Sequence, residues 1–447
     1  MRQRIVRTAL VAGVAVLAMI LLLATCGGGT GKPGAKARPS AAPKPSATRT
    51  GGPPTQLTVP SSYDTGRGWE VADASPEYAM AGLDTLGFLE RVDDFRFRLR
   101  AVDAATGKTR WTGGPWQPLS TAGTYPRLLS VTREDKRFFV TWSYGKTPGE
   151  GPGGASGGST LVSLDLYDAE DGETQRVEVP WSDAPTVTGS GPAVLITDGK
   201  SRSAVVDPGT GEVTTVEPAD LGYPKGCADC RRLTEVRAVT PKGLLVNGAR
   251  EFWVRGGWTS RSGVPKGADP ASGTPAAVAP GGRILAKWQE ARGSKKAATH
   301  DIWAVHDPAT GRSLVQVECR KPEVVTGDRP VALTSPQGRY LIAGNLAFDL
   351  ENGKGWCFEE PDGTRPLALT TVTDEGLVYG ASSARTTGEA LAGGGSPLRV
   401  DLATGVPEPL PANVRLPSAD TAGVGLFRWT DPGDRQHLIA YARGSGS

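Results

Sequence analysis

The sequence predicts an all-β protein, an eight-bladed β-propeller closed by strands from both ends of the chain. Three observations predict it. Gly 60 and Pro 36 in 447 residues favour many short strands and turns over helices. A phrase of strand, Asp, Thr-Gly and strand recurs along the chain. Its first copy has no strands before it and its last stretch stops one strand short, so each end completes the other.

The clearest copy is "FRFRLRAVDAATGKTRW". Phe95, Phe97, Leu99 and Ala101 alternate with polar residues, the period-two mark of a strand with one buried face. Asp103 offers its carboxylate to the backbone N–H groups of the next turn. Gly107 supplies the positive φ that closes that turn without a Cβ clash. Trp111, on the return strand, is placed to cover a neighbouring unit. The phrase returns around Asp168 and Gly172, Asp207 and Gly211, Asp307 and Gly311, Asp349 and Gly353, and Asp401 and Gly405. Between Gly211 and Gly311 there is room for two units. "LLVNGAREFWVRGGW", Leu244 to Trp258, fills it as a degenerate copy without the Asp and Thr. The Gly-rich stretch from Gly145 to Ser159 reads as a loop inserted between two strands.

Two further short strands precede each phrase, as in "RPVALTSPQGRYLIAGN" before Asp349. Four strands in a repeat of about forty residues are the signature of a propeller blade. At the ends, "YDTGRGW" (Tyr63 to Trp69) offers one strand, and Val424 to Arg443 offers two. Joining them makes a last blade and removes the exposed sheet edges. Seven internal turns and this shared blade give eight, with a seven-bladed ring as the alternative.

Upstream lies a different kind of sequence. Arg2, Arg4 and Arg7 precede an apolar run from Ala9 to Ala24, the pattern of an export signal. "LATCGGG" then resembles the lipobox of bacterial lipoproteins, with Cys26 as the lipid-attachment residue. Thr25 departs from the Gly, Ala or Ser usual before that cysteine. Two readings stay open: a cleaved, lipidated signal, or an uncleaved anchor over Thr8 to Thr25. Both place the rest of the chain outside the cytoplasm, tied to the membrane. Residues 27–59 read as a disordered, basic Gly/Pro/Ala-rich tether, and 60–447 as the propeller. Without the basic residues before position 60, 42 Lys and Arg stand against 47 Asp and Glu, a net of −5. Nucleic-acid binding has no electrostatic support in that balance.

The repeated phrase resembles that of the quinoprotein alcohol dehydrogenase-like propeller family, whose blades carry A-x-D-x-x-T-G-x-x-x-W. The likeness runs from about Tyr63 to Arg443, with Leu244 to Trp258 matching poorly, and points to a secreted or membrane-anchored lipoprotein of actinobacterial type. The family includes pyrroloquinoline-quinone enzymes, outer-membrane assembly scaffolds and extracellular sensor modules. A quinone- and calcium-dependent oxidoreductase of that kind implies an adjacent Cys-Cys pair, which this chain lacks. Nor is there a haem-attachment motif, since Arg231 follows Cys230 where a His is needed.

The remaining cysteines read as structural in an oxidising compartment. Cys227 and Cys230 are placed to close a small ring. The redox reading of such a pair expects a thioredoxin-like βαβ context, which the surrounding sequence lacks. Cys319 and Cys357 follow the turns of successive blades, which suits a blade-to-blade disulfide, although spacing alone does not fix connectivity. Zinc would need further ligands, and the chain has only three His. "GTGKPG" (Gly29 to Gly34) and "GASGG" (Gly154 to Gly158) match dinucleotide and nucleophile-elbow patterns but lack the strand and helix those motifs need. Most tryptophans read as packing between blades, with Trp116 and Trp258, beside Gly-Pro and Gly-Gly, expected to be the more exposed.

The expectation is therefore a monomeric, membrane-tethered module with no cofactor, no metal and no catalytic residue. It binds or scaffolds a protein or cell-envelope polymer through its inter-strand loops. A quinone oxidoreductase and an extracellular sensor working with a signalling partner are the alternatives.

Overall fold

The computed structural model describes residues 52–119, 125–147, 159–200, 202–322, 330–360, 365–421 and 423–444. The chain is an eight-bladed β-propeller. Strand β1 (Tyr63–Ala72) comes first. Blade 1 follows with β2 (Ala74–Ala81), β3 (Thr85–Arg91), β4 (Phe97–Asp103) and β5 (Thr109–Thr112). Blade 2 holds β6 (Arg127–Arg133), β7 (Lys136–Lys146), β8 (Thr160–Asp168) and β9 (Thr174–Pro180). Blade 3 holds β10 (Thr186–Thr188), β11 (Val194–Thr197), β12 (Ser203–Val206) and β13 (Val213–Val216). Blade 4 has only β14 (Glu235–Thr240), β15 (Gly243–Asn247) and β16 (Phe252–Val254). Blade 5 comprises β17 (Thr274–Val278), β18 (Ile284–Gln289), β19 (His300–His306) and β20 (Ser313–Arg320). Blade 6 comprises β21 (Ala332–Thr334), β22 (Tyr340–Ala343), β23 (Leu346–Asp349) and β24 (Lys354–Cys357). Blade 7 comprises β25 (Ala368–Val372), β26 (Leu377–Ser382), β27 (Ser396–Asp401) and β28 (Val406–Pro409). Blade 8 joins β29 (Ala419–Thr421), β30 (Val424–Thr430) and β31 (Gln436–Arg443) to β1.

Closure is visible in both pairing and packing. β1 runs antiparallel to β31, with Tyr63 opposite Arg443 and Ala72 opposite His437. Among the described residues there are eight apolar clusters, and each spans two neighbouring blades. An open row of eight blades would have seven such interfaces. The eighth packs Trp69, Leu438 and Ala440 of blade 8 against Leu86, Phe88 and Val102 of blade 1. Ordered contacts begin upstream of residue 60: the Thr55 amide donates to Glu70 and the Leu57 amide to the Tyr441 hydroxyl.

The recurring turn does what its residues dictate. Gly107, Gly172, Gly211, Gly311, Gly353 and Gly405 all have positive φ, between 64° and 80°. Asp103, Asp207 and Asp307 each accept a backbone N–H from the turn through Oδ1. A second reason for glycine comes from the neighbouring blade. A Cβ on Gly107 would meet Trp69 at 2.5 Å, one on Gly172 would meet Trp111 at 2.7 Å, and one on Gly311 would meet Trp258 at 2.3 Å. Each indole lies on the next blade's turn and donates its N–H to a carbonyl there: Trp69 to Ala104, Trp111 to Ala169 and Trp258 to Pro308. The Asp-Thr-Gly corner and the tryptophan are two halves of one inter-blade clasp.

Blade 4 is the unit whose sequence lacks the Asp and Thr, and it is the one without a regular fourth strand. Its edge is still capped, because Trp253 bridges Thr259 and the Val254 amide donates to the Trp258 carbonyl. His306 is buried beneath this clasp. Its Nδ1 donates to the Gly311 carbonyl at 3.0 Å, and its Nε2 accepts from Trp288 at 3.3 Å. Burial pushes its pKa below the usual 6.5 against the pull of the Gly311 carbonyl. The folded protein therefore binds fewer protons here than the unfolded chain, so this contribution is full above pH 6.5 and declines below it. Urea midpoints measured at about pH 7.5 and about pH 5.5 should fall less with acid in His306→Gln than in the parent protein.

Candidate functional site

The two faces of the wheel differ. On one face lie the clasped Asp-Gly corners and the short hairpins that join the first two strands of each blade. The other face carries the strand ends of the connections between successive blades, such as 217–234, and of the β7–β8 span, with the short helix α1 (Thr387–Leu391). The 255–273 connection instead leaves β16 on the corner face, where Trp258 seats on Gly311. The predicted Gly145–Ser159 insert overlaps that β7–β8 span: Gly145 and Lys146 end β7, and residues 148–158 lie outside the described residues. Loops released from the ring's packing constraints are where a rigid scaffold carries recognition.

On this connector face, between the inner strands of blades 1 and 2, is a cleft of about 470 Å³. Trp142 and Tyr144, two apart on β7, line the cleft while their side chains also pack against the apolar cluster shared with blade 3, and Tyr125 and Pro126 close it from the blade 1–2 connection. Tyr125 is fixed by its ring contact with Phe97, 5.2 Å between centroids, and by the Arg91 guanidinium 5.0 Å from its centroid. The Tyr144 hydroxyl is engaged by the Ser182 carbonyl at 3.0 Å, which orients that ring. Pro76 lines the blade 1 side, where Glu77 is ion-paired with Arg127 of blade 2. The chemistry on offer is stacking surface with one charged pair and the Ser143 hydroxyl at its edge. Ser143 accepts the Leu119 amide at 3.0 Å.

The residues singled out in the sequence lie elsewhere. Cys227 and Cys230 stand at disulfide distance, with Cα atoms 5.4 Å apart, in the connection between blades 3 and 4. Cys319 and Cys357 do so on the outer strands of blades 5 and 6, with Cα atoms 5.6 Å apart, and Asn345 Nδ2 lies 3.5 and 3.4 Å from the two sulfurs. Each pair has a nearby carboxylate, Glu251 and Glu359 respectively. Cys26 lies outside the described residues, as does the apolar run before it. Among the described residues no helix is long and apolar enough to cross a membrane.

One expectation is corrected. Trp258 is not an exposed loop residue: it is buried, because the Gly-Gly segment before it turns the chain back so that the indole seats on Gly311. Trp116 is half-buried, and its backbone pairs with Phe97 in both directions. The sequence reading passed over Trp142, Tyr144 and Tyr125. The available signal was "TWSYGK", two aromatics on one strand face immediately before the Gly-rich insert.

No family model matches the chain, and no curated protein does. Among solved structures it is similar to BamB from Moraxella catarrhalis, with 16% identity and a TM-score of 0.30 over 70% of this chain and 82% of that one. It is also similar to the β-propeller domain of the Trilobed protease from Pyrococcus furiosus, described as having an open velcro topology. That match has 11% identity and a TM-score of 0.34 over 76% of this chain and 98% of that one.

Proposed function

We propose that the chain is a membrane-tethered, extracytoplasmic propeller of the quinoprotein-like repeat type. It works as a non-catalytic binding or scaffolding module for a protein or cell-envelope ligand. The observation that supports this reading is the aromatic cleft at Trp142, Tyr144 and Tyr125, set among the longer connections on one face of the ring. Flat rings held by their neighbours lose little entropy on contact, which makes them effective anchors for a partner's apolar or sugar surface. The tether supplies reach. The basic segment before residue 52 and a lipid at Cys26, or an uncleaved apolar anchor, would hold the ring near the envelope.

Crosslinking in the native envelope followed by affinity capture tests this directly. One reproducible partner, lost from Trp142→Ala/Tyr125→Ala, is the expected result. Loss of one such anchor should cost about 2 kcal/mol, roughly thirtyfold in Kd. Capture that is indifferent to these substitutions would move the site away from the cleft. Tight uptake of pyrroloquinoline quinone with calcium, seen as a new absorbance band, would replace the binding reading with the oxidoreductase one.

A further inference from the structure

The two disulfides differ in what they can do for the fold. Cys319–Cys357 joins outer strands of adjacent blades across a sequence separation of 38, so it restrains a long stretch of unfolded chain. Cys227–Cys230 has a separation of only 3. It removes little chain entropy, and its segment is already anchored, since Trp253 Nε1 donates to the Leu221 carbonyl and the Thr234 hydroxyl to that of Cys230. As a staple it is nearly redundant.

Its surroundings are asymmetric. Cys230 is fully buried among Leu221, Val236 and Trp253, whereas Cys227 is half-buried at the rim of that cluster. Exposed Lys225 and Arg231 flank the loop, and Arg232 and Arg250 are ion-paired with Asp229 between the two cysteines, so the surroundings keep a net positive charge that favours an approaching thiolate. The third feature is Glu251, 1% exposed, with a carboxylate oxygen within 4.8 Å of both sulfurs and its side chain held by Arg261. A carboxyl group placed there can carry a proton to a sulfur that no solvent reaches.

We propose that Cys227–Cys230 is a redox centre that takes two electrons from a dithiol on a partner protein by thiol–disulfide exchange. The first partner thiol gives its proton to Glu251 and attacks Cys227 Sγ as a thiolate. The Cys227–Cys230 bond breaks, and Cys230 leaves with the electron pair. A thiolate among Leu221 and Trp253 is costly, so Cys230 takes the proton from Glu251. The partner's second thiol then attacks the partner sulfur of the mixed disulfide, and Cys227 leaves and takes that thiol's proton. The partner ends as a disulfide and this chain as two thiols, with two electrons and two protons transferred. The centre is independent of the aromatic cleft.

The test uses the full-length folded protein, reduced glutathione or dithiothreitol as the thiol, maleimide trapping, and mass spectrometry of peptides. Cys227–Cys230 should be reduced at least about tenfold faster than Cys319–Cys357 while the ring stays folded. Cys230→Ser, which leaves Cys227 as a free thiol, should form a glutathione mixed disulfide at Cys227 when given oxidised glutathione, one reduced glutathione leaving. Glu251→Gln should slow reduction by about tenfold and flatten its pH profile, an effect a packing role alone does not produce. Reduction of both pairs at one common rate set by unfolding would overturn the proposal. The parent protein alone is enough for that comparison, so a variant that fails to fold does not block it.

Discussion

Trp69→Ala should cost about 3–5 kcal/mol, as expected for a large aromatic cut from a packed core. Trp69 stands on β1, the strand that the beginning of the chain lends to blade 8. Its ring packs in the cluster between blades 8 and 1, lies on the Gly107 turn, and donates its N–H to the Ala104 carbonyl at 2.9 Å. The substitution leaves a cavity at the one interface where the two ends of the chain meet, and it strands a buried carbonyl. Denaturant unfolding with two probes reads the loss. A companion variant separates the two halves of the clasp. Gly107→Ala suffers both from its φ of 69° and from the indole, so part of its penalty should vanish in a Trp69→Ala background. A double-mutant cycle measures that coupling. Strict additivity would mean that the two residues do not form one clasp.

Arg443→Met should be comparably severe. Arg443, on β31, is ion-paired with both Asp420 of β29 and Glu375 of blade 7, and its Nε donates to Asp420 Oδ2 at 3.1 Å. Tyr63 of β1 donates its hydroxyl to the same oxygen at 2.9 Å. The inner strand of blade 8, its outer pair and the adjoining blade thus converge on one carboxylate that is 1% exposed. Removing the cation leaves that charge buried with Glu375 nearby, a situation that costs about 3–5 kcal/mol. Burial already pushes the Asp420 carboxyl upward against the pull of Arg443. Without the guanidinium the folded state should prefer it protonated still more strongly. The sign follows: the variant's deficit should shrink as pH falls through the carboxyl range, and Asp420→Asn in the same background should remove that trend. A deficit that does not change with pH would place the loss in packing instead.

These two sites show what could be read from the residues. The Asp-Gly corners were legible because positive φ and an Asx turn are local requirements, met within a few residues of one another. Blade number followed from counting corners, and even the degenerate unit at Leu244 to Trp258 marked its place, as the blade without a regular fourth strand. Contacts between blades were harder to see. Trp258 was misread because Gly256 and Gly257 announce a loop, while the indole's seat on Gly311 lies far along the chain. The cleft was missed for the same reason: Pro76, Tyr125 and Trp142 come from three separate stretches and meet only when two blades stand side by side. Asp420 and Arg443 look like ordinary surface charges until closure buries them between strands from opposite ends of the chain.

Peptide-resolved hydrogen exchange tests closure most directly. Closure predicts that the amides of β1 are protected as strongly as those of β31 and lose protection at the same denaturant concentration, because the two strands open as one unit. Exchange of β1 within seconds, at the rate of a free segment, while β31 stays protected, would contradict it.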